Sequence, residues 1–101
     1  MLNIHLNSWK TPKKMTIDTI PEIENVSNIA RTELSNKNWI IDCINTVKFD
    51  SSGIAWLLYN IKFSQKNIIP LEIYNFHLDS AKVLAQSHGV FEVLKPYLKE
   101  I

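Results

Sequence analysis

The chain has 101 residues, of which 46% are hydrophobic and 21% charged, and its formal net charge is +1. A chain of this length can bury one hydrophobic core but not two, so we expect a single domain over residues 1–101. Eleven basic residues nearly balance ten acidic ones, which argues against a general polyanion binder. The longest central stretch without charge, residues 51–61, is too short to cross a bilayer, so we expect a cytoplasmic protein.

The first part of the chain predicts two strands and a helix. Alternating apolar residues at positions 2–6 and an apolar stretch at 15–17 indicate two strands, which we expect to form an antiparallel hairpin. Thr19 followed by Glu22 is a capping-box pattern that begins a helix, and we expect this helix to end near Asn36. Apolar residues at helical spacing mark its expected buried face: Ile23, Val26, Ala30 and Leu34.

The middle of the chain predicts a central strand and the strongest helix. Residues 39–44 are almost all apolar, as expected of a strand covered on both faces, and Cys43 is expected to be a small core residue there. A single cysteine excludes an internal disulfide. A helix follows Gly53, and Asn67 is placed to adopt a left-handed conformation at its end. Its expected buried stripe comprises Ile54, Leu57, Leu58 and Ile61.

The last part of the chain predicts one more strand and two helices. Residues 68–74 indicate the strand. Asp79 or Ser80 is expected to cap a helix that ends at Gly89, and a short helix is expected at residues 91–94. Strands that alternate with helices indicate an α/β fold with right-handed crossovers and a parallel core to its sheet.

The residues give little support to catalysis or cofactor binding. The two glycines cannot build a phosphate-binding loop of the nucleotide hydrolase or dinucleotide type. His5, His77 and His88 lie far apart without cysteine neighbours, so we expect no metal site. Ser51, one of the last two histidines and Asp42 could form a Ser/His/Asp arrangement, but no strained elbow or oxyanion loop accompanies them. We therefore expect neither an enzyme nor a bound cofactor.

The most informative segment is the turn Asp50-Ser51-Ser52-Gly53, which links the central strand region to the strongest helix. Its hydroxyl groups would lie beside the amide groups of a helix N-terminus, where a phosphate or a partner's carboxylate is stabilised. A phosphate on Ser51 would add about two negative charges, which the neighbouring Asp50 would oppose. Alternatively, Asp50, Ser51 or Ser52 merely caps the helix.

A second feature lies on the same helix. Trp56, Tyr59 and Phe63 lie on the side opposite to the apolar stripe, within about 60° of one another. Either the N-terminal or C-terminal segment covers this aromatic stripe, or the stripe is an exposed patch to which a partner binds.

Four segments, at residues 39–42, 47–58, 71–74 and 83–90, together resemble a STAS domain. The resemblance runs from about residue 15 to residue 94. Its most specific part is the Asp-Ser-Ser-Gly turn between an apolar strand and an apolar helix. The resemblance implies an α/β fold in which a mixed sheet of four to five strands carries its helices chiefly on one face.

Within that family, residues 53–58 and 84–85 are most similar to MlaB-like subunits of bacterial phospholipid ABC transporters. This implies a non-catalytic cytoplasmic subunit that binds the transporter ATPase, in one complex with the permease, at the inner membrane. Asp50 and Ser51 would then lie at the ATPase contact. The same turn is equally typical of anti-sigma-factor antagonists, in which a kinase-like anti-sigma factor would phosphorylate the residue that matches Ser51.

Overall fold

The computed structural model describes residues 8–33 and 38–99. Strands and helices alternate along most of this length, which confirms the α/β class. Their bounds are β1 (Ser8–Lys10), β2 (Lys14–Met15), α1 (Ile20–Thr32), β3 (Trp39–Asp42), β4 (Lys48–Phe49), α2 (Ser51–Asn67), β5 (Leu71–Tyr74), α3 (Asp79–Ser87), α4 (Phe91–Leu94), a 3-10 turn (Lys95–Tyr97) and β6 (Leu98–Lys99). No helix within these ranges is both long and apolar enough to span a membrane.

The strands form a four-stranded sheet in the order β1-β3-β5-β6, beside a separate pair of β2 and β4. Every strand pairing in the described ranges is parallel. All four residues of β3 are buried, as expected of a strand covered on both faces. Cys43, directly after β3, is buried as expected, and desolvation raises the pKa of its thiol to about 12, more than a hydrogen bond from Thr11 lowers it.

Residues 14 and 15 do not form the predicted N-terminal hairpin. Lys14–Met15 pairs in parallel with Lys48–Phe49, and the first described strand, Ser8–Lys10, pairs in parallel with β3. Residues 2–6 lie outside the described ranges. Burial explains the pairing of β2, because it places the side chain of Met15, which is fully buried, against α2.

The core lies on one face of the four-stranded sheet. In β3 and β5 the residues in register on this face are Trp39 with Leu71 and Ile41 with Ile73. All four helices contribute buried apolar side chains to the same cluster: Ile23, Ile54, Leu57, Ile61, Ala81, Ala85 and Leu94. Three of the four residues of the predicted α2 stripe are thus buried, and Leu58 is partly buried.

Helix α1 differs most from its sequence-based prediction. The Thr19 hydroxyl makes no capping bond; it accepts from the Thr16 N–H at 3.0 Å and donates to carbonyl oxygens of the preceding turn. The helix ends at Thr32, and residues 34–37, including Leu34 and Asn36, lie outside the described ranges. Val26, expected in the core, is 52% exposed. The buried face is instead polar, with Ser27 and Arg31 following Ile23 at intervals of four.

The ends of the other helices show two corrections and one confirmation. Ile68, not Asn67, adopts the left-handed conformation after α2, with φ 54°. Neither Asp79 nor Ser80 caps α3, since its N-cap is Leu78. Gly89 ends α3 as predicted, with φ 70°. The two backbone hydrogen bonds of a Schellman motif follow. The Gly89 N–H donates to the Gln86 oxygen and the Val90 N–H donates to the Ala85 oxygen, each at 3.0 Å.

Candidate functional site

The side chain of Asp50 forms the N-cap of α2. Its Oδ1 accepts from the N–H groups of Ser52 at 2.8 Å and Gly53 at 3.2 Å, and its Oδ2 accepts from the Ile17 N–H at 2.9 Å. The capping interpretation therefore holds for Asp50. Since Asp50 already occupies these amide groups, they are not open to a phosphate or to a partner's carboxylate.

The hydrogen bonds to the Asp50 carboxylate also keep a negative charge on the turn. Partial desolvation raises the pKa of Asp50, but the bonds from the Ile17, Gly53 and Ser52 amides, together with the charge of Lys48, outweigh it. The net effect holds the pKa below the ordinary value of 3.8. A fixed negative charge therefore lies directly beside Ser51.

Gly53 lets the start of α2 lie against β2. A Cβ atom at this position would overlap the carbonyl oxygen of Met15 and would lie 2.8 Å from Cδ1 of Phe49. Any side chain here would push α2 away from the β2-β4 pair. The glycine thus fixes the position of the hydroxyl-bearing turn relative to the sheet. We call Asp50, Ser51, Ser52 and Gly53 the docking corner.

Ser51 is exposed at the first position of α2, and its Oγ lies 3.0 Å from Nε2 of His88. His88 is the C-cap residue of α3, so the Schellman motif at Gly89 places its ring beside α2. The sequence left open whether His77 or His88 could approach Ser51, and the structure shows that it is His88. The Gly89 signal located the end of α3, but nothing in the sequence shows that this end meets the start of α2.

The Ser/His/Asp arrangement is not assembled. The Asp42 carboxylate accepts from Asn75 Nδ2 at 2.8 Å and from the Ile44 N–H at 3.0 Å, and it lies 3.8 Å from Lys10 Nζ. Among the residues that the structure describes, no carboxylate is hydrogen-bonded to His88, and no group of three potential metal ligands occurs. The Ser51–His88 pair therefore lacks the acidic partner that orients the histidine of a hydrolase triad.

The aromatic stripe is only partly at the surface. Trp56 is 4% exposed, its ring centroid lies 5.5 Å from that of Trp9, and its Nε1 donates to Oε1 of Glu24 at 3.0 Å. Tyr59 is 51% exposed, whereas Phe63 is partly buried. Of the two interpretations of the stripe, the covered one therefore applies to Trp56, because Trp9 and α1 lie over it. Tyr59 remains accessible.

A buried polar cluster holds α1 against α2. The guanidinium of Arg31 pairs with Glu24, and its Nη1 donates to Asn60 Oδ1 at 3.1 Å and to Ser27 Oγ at 3.2 Å. Trp39 Nε1 donates to the same Asn60 oxygen at 2.8 Å. The guanidinium also lies 5.3 Å from the ring centroid of Tyr59. The sequence analysis missed this cluster because a search for apolar periodicity gives no weight to Ser27 and Arg31.

A groove of about 480 Å³ adjoins the docking corner. Residues of both α1 and α2 line it: Ile20, Glu24, Ser52, Ala55, Trp56 and Tyr59. Ser52 belongs to both features, so the corner and the groove form one continuous surface. This surface combines the exposed Ser51 and the partly buried Ser52 with a shallow apolar depression.

Comparisons with protein-family models, with curated proteins and with solved structures give no significant match to this chain.

Proposed function

We propose that the chain is a non-catalytic STAS-like subunit that binds the ATPase of a phospholipid-transport ABC complex. The docking corner would meet the ATPase, which would hold the subunit on the cytoplasmic side of the inner membrane beside the permease. Its role would be to support assembly or activity of the complex, without cofactor or chemistry of its own. The Ser51 hydroxyl, exposed on a backbone fixed by Asp50 and Gly53, is the single observation that carries this proposal.

Three properties of the corner support docking. Its position is fixed, because the Asp50 side chain accepts three backbone hydrogen bonds and Gly53 packs against Met15. A preformed surface loses little entropy on binding. The adjoining groove supplies apolar surface, and Tyr59 at its edge is a residue type that often contributes strongly to interfaces.

The non-catalytic part of the proposal has its own support. Asp42 is engaged by Asn75 and Ile44, and Asp50 holds its charge beside Ser51, where it would oppose formation of an anion at that oxygen. An acyl-transfer site needs the opposite, namely donors aimed at the developing negative charge.

The test is co-purification from the native cell. The tagged wild-type chain is expected to retain a nucleotide-binding subunit and a permease, whereas Ser51→Glu should retain much less of both, because it brings a second carboxylate beside Asp50. Ser80→Glu is the matched control, since Ser80 is also exposed in the first turn of a helix. A wild-type purification without any ATPase would contradict the proposal, and so would equal recovery by the two variants.

A second candidate is an anti-sigma-factor antagonist that is switched by phosphorylation of Ser51. The exposure of Ser51 favours it, because a kinase could reach this hydroxyl without unfolding the turn. Here the expected partner is a kinase-like anti-sigma factor, which with ATP should phosphorylate the wild-type chain but not Ser51→Ala. Ser51→Asp should abolish its binding. Recovery of a transporter ATPase that leaves Ser51 unmodified would rule this candidate out.

A further inference from the structure

The structure places a histidine against the one hydroxyl at which the second candidate would be modified. Ser51 Oγ and His88 Nε2 lie 3.0 Å apart, although the two residues are 37 positions apart in the chain. The contact joins the first residue of α2 to the residue that caps α3. Modification of Ser51 would therefore act on two helices at once.

We propose that His88 is the counter-ion of a phosphate on Ser51, so that phosphorylation locks the start of α2 to the end of α3. This inference rests on the second candidate function and names the residue through which that switch would act. In the unmodified protein the same pair forms an ordinary hydrogen bond, which Ser51 can release when a partner binds.

Phosphorylation of Ser51 needs no reactant other than ATP and the kinase. The γ-phosphorus of ATP bonds to Ser51 Oγ, its bond to the bridging oxygen breaks, and ADP leaves. The hydroxyl proton passes to His88 Nε2. The imidazolium that forms is then within hydrogen-bond distance of the new phosphate, and such charge-assisted bonds are roughly twice as strong as neutral ones.

The neighbouring charged groups leave His88 as the partner of a phosphate on Ser51. The charged groups on these and the adjoining elements are Asp50 before α2, Lys62 and Lys66 farther along α2, Lys48 on β4, Asp79 and Lys82 on α3, and Glu92 on α4. Asp50 is negative, and its oxygens are occupied by three amide groups. Lys48 lies close enough to Asp50 to lower its pKa, so part of its positive charge is already balanced. Since Asp50 also occupies the Ser52 and Gly53 amides, the helix N-terminus cannot take over the phosphate.

The position of His88 suits contact with a phosphate on Ser51. His88 is the C-cap residue of α3, and its Nε2 already lies 3.0 Å from Ser51 Oγ. A glutamine at this position could donate one hydrogen bond but could not supply the charge.

The experiment uses the full chain with phosphoserine installed at position 51 during translation, so that it needs no kinase. Phosphorus NMR follows the titration of the phosphate in this protein and in His88→Gln. With His88 present, the midpoint should lie lower by about 0.5 pH unit or more, a factor of about three, because an adjacent cation favours the dianion. His77→Gln, which changes another exposed histidine, should leave the midpoint unchanged.

Equal midpoints with and without His88 would overturn the inference. A second readout is thermal unfolding, in which phosphoserine should stabilise the His88 protein relative to the phosphorylated His88→Gln variant. The pairing of His88 with a phosphate on Ser51 and the switching function can be refuted independently of each other. If no kinase-like partner modifies Ser51 in the cell, the switching function fails while the titration still reports on the pair.

Discussion

The Arg31 guanidinium of α1 donates a hydrogen bond of 3.1 Å to the Asn60 side chain of α2, in the interior of the protein. Asn60 also accepts from Trp39 on β3 and donates to the Trp56 carbonyl oxygen. Two helices and the central strand therefore meet at one amide side chain. This arrangement decides how the aromatic stripe is covered, and so which of its residues a partner can reach.

Removal of the Arg31 side chain should destabilise the protein. Arg31→Met removes the donor to Ser27, one of the two donors to Asn60 and the cation that pairs with Glu24, and we expect a loss of about 2–4 kcal/mol in the free energy of unfolding. Arg31→Lys should recover only part of it, because an ammonium group cannot reach Glu24, Asn60 and Ser27 together. Urea unfolding measures both changes. Lys66→Met, at an exposed position of α2, is the control, and an Arg31→Met loss as small as that of the control would refute the role of the cluster.

Trp56 and Tyr59 should behave differently although they lie on the same stripe. Trp56→Ala removes a buried ring and should cost about 3–5 kcal/mol, whereas Tyr59→Ala should cost about 1 kcal/mol, because half of that ring is exposed. Calorimetric melting distinguishes them. Tyr59→Ala is then the variant suited to binding assays. Similar losses for both residues would mean that the cover of Trp56 by α1 is misassigned.

The two glycines provide a matched pair. Gly53→Ala places a Cβ against Met15 and Phe49, and we expect a loss of at least about 3 kcal/mol or no folded protein. Gly89→Ala meets no atom within 4 Å and should cost only about 1 kcal/mol for the strain of φ 70°. Expression yield and melting temperature report the difference. A larger loss of stability for Gly89→Ala than for Gly53→Ala would contradict the close approach of α2 to β2.

Asp50 should contribute to the acid sensitivity of the fold. Its pKa in the folded protein lies below the ordinary 3.8, so its stabilising effect is present above about pH 4 and is lost as the pH falls through the folded-state value. Asp50→Asn keeps a capping oxygen but carries no charge. We therefore expect the stability difference between wild type and Asp50→Asn to shrink from pH 7 to pH 3 in urea unfolding. A constant difference across this range would contradict the charged cap.

Much of the fold could be predicted because the signals are local. The stripe of α2 and the glycine cap of α3 depend on neighbouring residues, and both are observed. The parallel pairing of Lys14–Met15 with Lys48–Phe49 depends on contacts far apart in the chain, so a short apolar stretch could not reveal it. The polar face of α1 was missed for a similar reason, since burial of Arg31 depends on partners from α2, among them Asn60, that are distant in the chain.

Part of the candidate site could likewise be predicted from local sequence, and part could not. The sequence of the turn offered Asp50, Ser51 or Ser52 as a helix cap, and in the structure the cap is Asp50. The Ser51–His88 contact depends on how α2 and α3 pack, and the burial of Trp56 depends on where α1 lies. Helical periodicity places residues on a face but does not state what covers that face.

The most direct test of docking is site-specific photocrosslinking in the native cell. A photoreactive phenylalanine derivative is placed at Tyr59, in the groove that adjoins the docking corner, or at Ile68, which is 89% exposed directly after the C-terminal end of α2. These positions are more than about 13 Å apart along the helix. Adducts are identified by mass spectrometry. We expect the transporter ATPase to be crosslinked from position 59 and not from position 68; an ATPase adduct from position 68 alone, or none from either position, would contradict docking at the corner.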